Sequence, residues 1–275
     1  MTIVRCAAVQ MTSGVDVDEN LRAVAGHIEA AAAKGAQFIV LPENFSAMGR
    51  KEADRCALAE SDGDGPLQNF LAEQAARYAI WIVGGTIPVA GDDPVRPTAS
   101  SLVFAADGRR VARYDKIHLF DVGIPGQDER YCESAHTRAG SLPMIVTTPW
   151  GGLCVAVCYD VRFPELFRSF SATELKLIAL PAAFTATTGA AHWATLLRAR
   201  AIENLCFVVA AAQTGRHENG RQTYGHSMLI SPWGKVIADA GTDTGVIVAD
   251  LDLEAQADMR RRFPVLEHRS QARKI

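Results

Sequence analysis

Residues 152–166 read GLCVAVCYDVRFPEL, and the rest of the chain is organised around them. Leu153, Val155 and Val157 alternate with Cys154 and Ala156, the near-continuous apolar pattern of a strand buried on both faces. Cys158 ends that run. Asp160 is placed to accept from the N–H groups of a starting helix, and Pro164 suits a first helical turn because it lacks the N–H that goes unpaired there. A thiol on such a turn points out of the sheet near the positive end of the following helix, which favours its thiolate form. The same residues also read as a strand ending in a buried core cysteine, and this stretch alone does not separate the two readings.

Working outward, strands and helices alternate. Residues 3–9 and 38–41 read as strands. Between them Asp16 or Asp18 can cap a helix with Leu21, Val24, Ile28 and Ala31 on one face, stopped by Gly35. A second helix begins near Pro66, carries Leu67, Phe70, Leu71, Ala75 and Tyr78, and leads to a strand at 80–83. This is the alternation of an α/β protein. Strands at 100–105 and 109–114 flank Asp107-Gly108, a strong hairpin signal, so antiparallel strands join the sheet. Residues 117–143 show little periodicity, and loops this long in a compact domain are usually functional. Beyond Cys158 come a strand at 176–180, a helix with Trp193, Leu196, Leu197, Ala201 and Ile202, and a strand at 206–211. An irregular segment, QTGRHENGRQTYG, leads to a hairpin of residues 226–230 and 235–238, and then to a strand at 246–250, a short helix and a polar tail.

Composition narrows the function. With 275 residues, 48% of them hydrophobic and 21% charged, the chain suits one domain over 1–275. A balance of 28 basic against 31 acidic residues creates no field for nucleic acid or an anionic membrane, so a small-molecule substrate is the expectation. The N-terminus lacks a signal-peptide layout and no apolar run approaches a membrane span, which points to the cytoplasm. The 6 cysteines follow neither zinc-site nor disulfide-framework spacing, so no metal is expected.

Three expected strand ends carry complementary chemistry. One ends in Glu43, the hairpin delivers Lys116, and the opening stretch delivers Cys158. Ligands bind at the carboxyl ends of strands in open α/β sheets. A carboxylate can take the thiol proton and return it to a leaving amine, while an ammonium stabilises thiolate and oxyanion. Singly, Glu43 also reads as a surface cap and Lys116 as solvated. The contexts LPENF, YDKIHLFD and VCYDVRFPEL, in this order, favour the joint reading.

With KIHLFDVGIPG, FTATTGAAHW, LLRARAIEN and YGHSMLISPWGKV, these contexts resemble the nitrilase, or carbon–nitrogen hydrolase, superfamily over essentially the whole chain, most closely its Nit-type amidases. The resemblance implies a four-layer αββα sandwich of two mixed sheets, a homodimer, and no metal or organic cofactor. It maps the catalytic Glu, Lys and Cys onto Glu43, Lys116 and Cys158, and a second glutamate that positions the lysine and substrate onto Glu133. The implied reaction is hydrolysis of a small carboxylate-bearing ω-amide to acid and ammonia through a thioester, with the Tyr159 backbone N–H helping to hold the oxyanion. The branch acting on deaminated glutathione looks closest, and an ω-amidase branch acting on α-ketoglutaramate shares the same residues.

Either substrate needs an arginine, for which Arg216 is the candidate, with Phe184 and Thr185 lining the pocket. Arg162 reads as a structural partner for a carboxylate, His118 and His192 as structural hydrogen-bonders, Trp193 and Trp233 as packing, and Arg260 to Arg262 as a solvated helix end. Carbamoyl or nitrile hydrolysis, a Cys–His hydrolase and a non-catalytic scaffold of the same fold are the alternatives.

Overall fold

The structure, a computed structural model, describes residues 2–51, 53–125, 129–170 and 174–271. Residues 126–128 of the loop expected to be functional, and 272–275 of the tail, lie outside the described residues.

The first half builds one sheet. β1 (Ile3–Gln10) leads into α1 (Val17–Ala33), whose N-cap Asp16 accepts the Glu19 N–H at 2.9 Å. After β2 (Phe38–Val40), a short α2 (Asp54–Ala57) and α3 (Pro66–Tyr78) precede β3 (Trp81–Val83) and β4 (Ile87–Val89). The hairpin expected around Asp107-Gly108 forms between β5 (Thr98–Phe104) and β6 (Arg110–Asp115). A small antiparallel pair, β7 (Asp121–Gly123) and β8 (Arg130–Cys132), then occupies part of the segment that shows no periodicity in the sequence.

The second half repeats the plan. β9 (Ile145–Thr148) and β10 (Gly151–Val155) precede a 3-10 turn at Cys158–Arg162 and the short α4 (Pro164–Arg168). β11 (Leu175–Ala182), α5 (Ala186–Asn204) and β12 (Phe207–Ala212) follow. The irregular segment folds partly as a second small pair, β13 (Thr214–Arg216) and β14 (Gln222–Tyr224). The expected hairpin of β15 (Met228–Ile230) and β16 (Val236–Asp239) completes this sheet. β17 (Gly245–Asp252) returns to pair antiparallel with β1, and α6 (Leu253–Arg262) follows. The start of the expected polar tail is helical, as α7 (Val265–Gln271).

The sheets run β17-β1-β2-β3-β5-β4 with β6 on β5, and β16-β15-β12-β11-β10-β9. Both mix parallel and antiparallel pairs. Their layering follows from side chains alternating across a strand. In β1 and β2, Val4, Cys6, Ala8, Phe38 and Val40 share a core with Leu153, Val155, Leu177 and Val209 of the opposite sheet. Their neighbours Ala7, Val9 and Ile39 face outward and bury Val24 and Ile28 of α1 and Leu71 of α3. Trp193, Leu197 and Ala201 of α5 cover the second sheet from its other side. The result is the expected αββα sandwich. Among the described residues no helix is long and apolar enough to cross a membrane.

Three surface expectations change. Trp233 is 60% exposed and meets Phe263 edge to face with ring centroids 5.5 Å apart, because its turn carries it off the sheet. Arg260 folds inward and donates to the carbonyls of Leu175, Asn204 and Leu205, so only Arg261 and Arg262 form the exposed helix end. Arg162 has aromatic company where a carboxylate was expected: its guanidinium lies 5.6 Å from the Tyr159 ring centre and 5.2 Å from that of Phe184.

Candidate active site

Each chemical side chain stands just past a strand end, held by backbone contacts remote in sequence. After β2, Leu41 still donates to Val83, and the chain then turns through Pro42, Glu43 and Asn44, the last with a left-handed φ of 57°. Gly85, at φ 51°, passes so close that a Cβ there would sit 2.1 Å from the Pro42 carbonyl oxygen. Gln213, just beyond β12, donates to the Glu43 carbonyl at 2.9 Å and to Ser13 Oγ at 2.7 Å, pinning the glutamate's backbone from the opposite sheet. The sequence reading missed Gln213; a buried amide outside any regular element carries no local signal.

Lys116 follows β6 and is 2% exposed. Its Nζ donates to Glu43 Oε1 at 2.9 Å and to both oxygens of Glu133 at 3.0 and 2.8 Å. Burial alone would pull the ammonium pKa down, but the charges of Glu133 and Glu43 outweigh it and carry it above the ordinary lysine value. Glu133, in a 3-10 turn after β8, also accepts the Phe120 N–H at 2.7 Å and has Arg55 at 3.6 Å. Burial opposes its ionisation, yet Lys116 and Arg55 hold its pKa below the usual carboxylate value.

Cys158 adopts a left-handed φ of 49°, a conformation that costs a residue with a side chain on the order of 1 kcal/mol and persists where the surroundings impose it. Asp160 supplies that constraint, and differently from the expected helix cap. Its fully buried carboxylate accepts the Val157 N–H at 2.8 Å, the Tyr114 hydroxyl at 2.7 Å and the His118 N–H at 3.0 Å, with the His118 ring nitrogen at 2.7 Å. The helix after Cys158 is delayed to α4, so its N-terminus does not begin at the thiol.

Glu43, Lys116 and the Ala183 N–H all act on the Cys158 thiol. Burial pushes its pKa well up and Glu43 pushes it further, against Lys116 and the Ala183 N–H. The folded surroundings thus disfavour the thiolate that was expected. No histidine among the described residues lines the cavity. His118 instead pairs with Asp160 and stacks on Phe163 at 3.7 Å.

A cavity of about 670 Å³ opens over this cluster. Tyr159, Phe184 and Thr185 line it, as expected; Arg216 does not, lying exposed on β13. The lining guanidiniums are Arg50, Arg55, Arg130 and Arg221. Among the described residues, no group of three or more His, Cys, Asp or Glu side chains could hold a metal ion.

Residues 5–261 match the carbon-nitrogen hydrolase family. The chain belongs to that family. This carbon–nitrogen hydrolase is 41% identical to the deaminated glutathione amidase of Synechocystis sp. over 96% of its own length and 97% of the relative's. The crystal structure of the C. elegans NitFhit protein superposes with a TM-score of 0.89 at 40% identity, covering 97% of this chain and 65% of that longer one. An amidase from Nesterenkonia sp. AN1, in a Glu-to-Gln mutant form carrying the product of Michael addition of acrylamide at its active site cysteine, matches with a TM-score of 0.77 at 25% identity over 98% and 99% of the two chains. The protein is a hydrolase of carbon–nitrogen bonds other than peptide bonds.

Proposed function

We propose that this hydrolase cleaves the ω-amide of deaminated glutathione through a thioester on Cys158. The observation that carries the reading is the gathering of Cys158, Glu43, Lys116 and Glu133 on the wall of one arginine-rich cavity, with Lys116 Nζ donating to Glu43 at 2.9 Å. Glu43 takes the thiol proton as sulfur attacks the amide carbon. The Lys116 ammonium and the Tyr159 N–H hold the developing oxyanion. The protonated Glu43 then gives its proton to the departing amine, and the carboxylate so regenerated activates water against the thioester. Glu133 keeps Lys116 in place. The relative named for deaminated glutathione supports the substrate, and the acrylamide adduct on the Nesterenkonia amidase supports a nucleophilic cysteine. The leaving amine is a dipeptide for deaminated glutathione and ammonia for an unsubstituted ω-amide such as α-ketoglutaramate.

Release of amine from these two substrates, measured side by side with wild type and Cys158→Ala, tests the reading. Faster turnover of deaminated glutathione, lost in the variant while mass spectrometry finds an acyl adduct on wild-type Cys158, is the expected result. Faster turnover of α-ketoglutaramate would transfer the protein to the ω-amidase reading, and activity on neither would defeat both.

The same proposal places one domain over 1–275 in a reducing compartment, the cytoplasm, supported by six free thiols. It also includes a homodimer, supported by the exposed apolar side chains Ile202, Trp233 and Phe263. A monomeric sedimentation coefficient at micromolar concentration would remove the dimer.

A further inference from the structure

Resting on the amidase reading, we propose that Arg221 is the specificity residue that binds the substrate carboxylate in the acyl half, beyond the scissile carbon. Its guanidinium is held from one side: Nη2 donates to the Ala183 carbonyl at 2.7 Å, and the group lies 5.4 Å from the centre of the Tyr131 ring. Ala183 and Cys158 line the same cavity as Arg221. Arg221 Nε is buried and has no acceptor among the described residues, although Arg221 lines the cavity. A buried N–H without an acceptor is costly, and a small turn of the guanidinium toward a ligand oxygen in the cavity relieves that cost.

A second such donor lies on the wall beside Glu43. Asn44 is 7% exposed, its Nδ2 has no partner, and its backbone N–H is already engaged by Thr86. Two buried donors without acceptors suit the oxygen-rich end of a 2-oxo acid. Charge agrees: among the described residues the four lining arginines and Lys116 face Glu43, Glu129 and Glu133, an excess of two positive charges. In deaminated glutathione the 2-oxo carboxylate lies four bonds, roughly 5 Å, from the scissile carbon, and the glycine carboxylate lies farther out. Arg221, bonded to the Ala183 carbonyl on the cavity lining that also carries Cys158, is assigned to the first. Arg50, at 73% side-chain exposure, stands at the exposed edge of the cavity.

The test compares kcat/KM for three substrates: deaminated glutathione, its methyl ester at the 2-oxo carboxylate, and its amide at the glycine carboxylate. Wild type should prefer the free acid to the 2-oxo ester by ~10–100-fold, as a charge-assisted hydrogen bond implies. In Arg221→Gln that ratio should fall towards one, and Arg221→Lys should restore part of it, with circular dichroism and melting temperature checking the fold. Equal losses on acid and ester, leaving the ratio unchanged, would reduce Arg221 to a wall residue and overturn the proposal. So would a lost preference at the glycine end alone, or no wild-type preference for the free acid. Failure of wild type to hydrolyse any of the three would instead count against the amidase reading itself.

Discussion

The Asp160 carboxylate accepts the Tyr114 hydroxyl at 2.7 Å, tying the turn that carries Cys158 to the strand that leads into Lys116. Asp160 stands two residues after the cysteine, while its partners Tyr114 and His118 stand two residues either side of the lysine. One buried carboxylate thus sets the separation of nucleophile and ammonium. Asp160→Ala, which leaves several buried donors without an acceptor, should cost about 3–5 kcal/mol and most of the activity. Tyr114→Phe removes one of those bonds and should cost about 1.5–3 kcal/mol. Urea midpoints check both, and a Tyr114→Phe loss equal to that of Asp160→Ala would show that the other contacts contribute nothing.

Glu43→Gln preserves the shape of the side chain but cannot take the thiol proton. Amine release should fall by about 10²–10⁴-fold, the range for a lost general base, with the melting temperature moving only a few degrees. In the proposed mechanism Glu43 serves both half-reactions, so quench-flow mass spectrometry should show no build-up of acyl-enzyme in the variant. A large build-up would mean that Glu43 acts in deacylation only.

Glu133 makes stability depend on acidity. Its pKa in the fold lies below the unfolded value because Lys116 and Arg55 overcome its burial. The sign follows: its contribution is complete above the unfolded carboxyl pKa, about 4.3, and is lost as pH falls through the lower folded value. Glu133→Gln lacks this titration. The stability gap between wild type and variant should hold steady down to about pH 5 and narrow below about pH 4. Urea titrations at stepped pH measure it, and a gap that widens in acid would reverse the assignment.

Gly85 keeps the Glu43 turn in place by having no side chain. Gly85→Ala puts a Cβ against the Pro42 carbonyl at a left-handed φ, so residues 42 and 43 must move. A destabilisation of about 1–3 kcal/mol is expected, together with a fall in kcat that exceeds any change in KM. Wild-type kcat in a well-folded Gly85→Ala protein would show that the turn absorbs the methyl without moving the carboxylate.

What the sequence determined by itself was local. Apolar alternation at period two, the cap at Asp16 and the turn at Asp107-Gly108 act over a few residues, so β1, α1, β2 and the β5–β6 hairpin appear where those patterns place them. The contexts around Glu43, Lys116, Glu133 and Cys158 were also readable as motifs. What only the tertiary structure decided was where side chains point once remote segments meet. Arg216 and Arg221 lie five residues apart in one polar segment, and the β13–β14 pairing leaves the first outside the cavity and the second on its wall. Asp160 has the composition of a helix cap and does accept the nearby Val157 N–H, but its other partners come from Tyr114 of β6 and from His118, long-range contacts that no local pattern records. The upward pull on the Cys158 pKa has the same origin, because its desolvation and the nearby charge of Glu43 exist only after the two sheets have closed on each other.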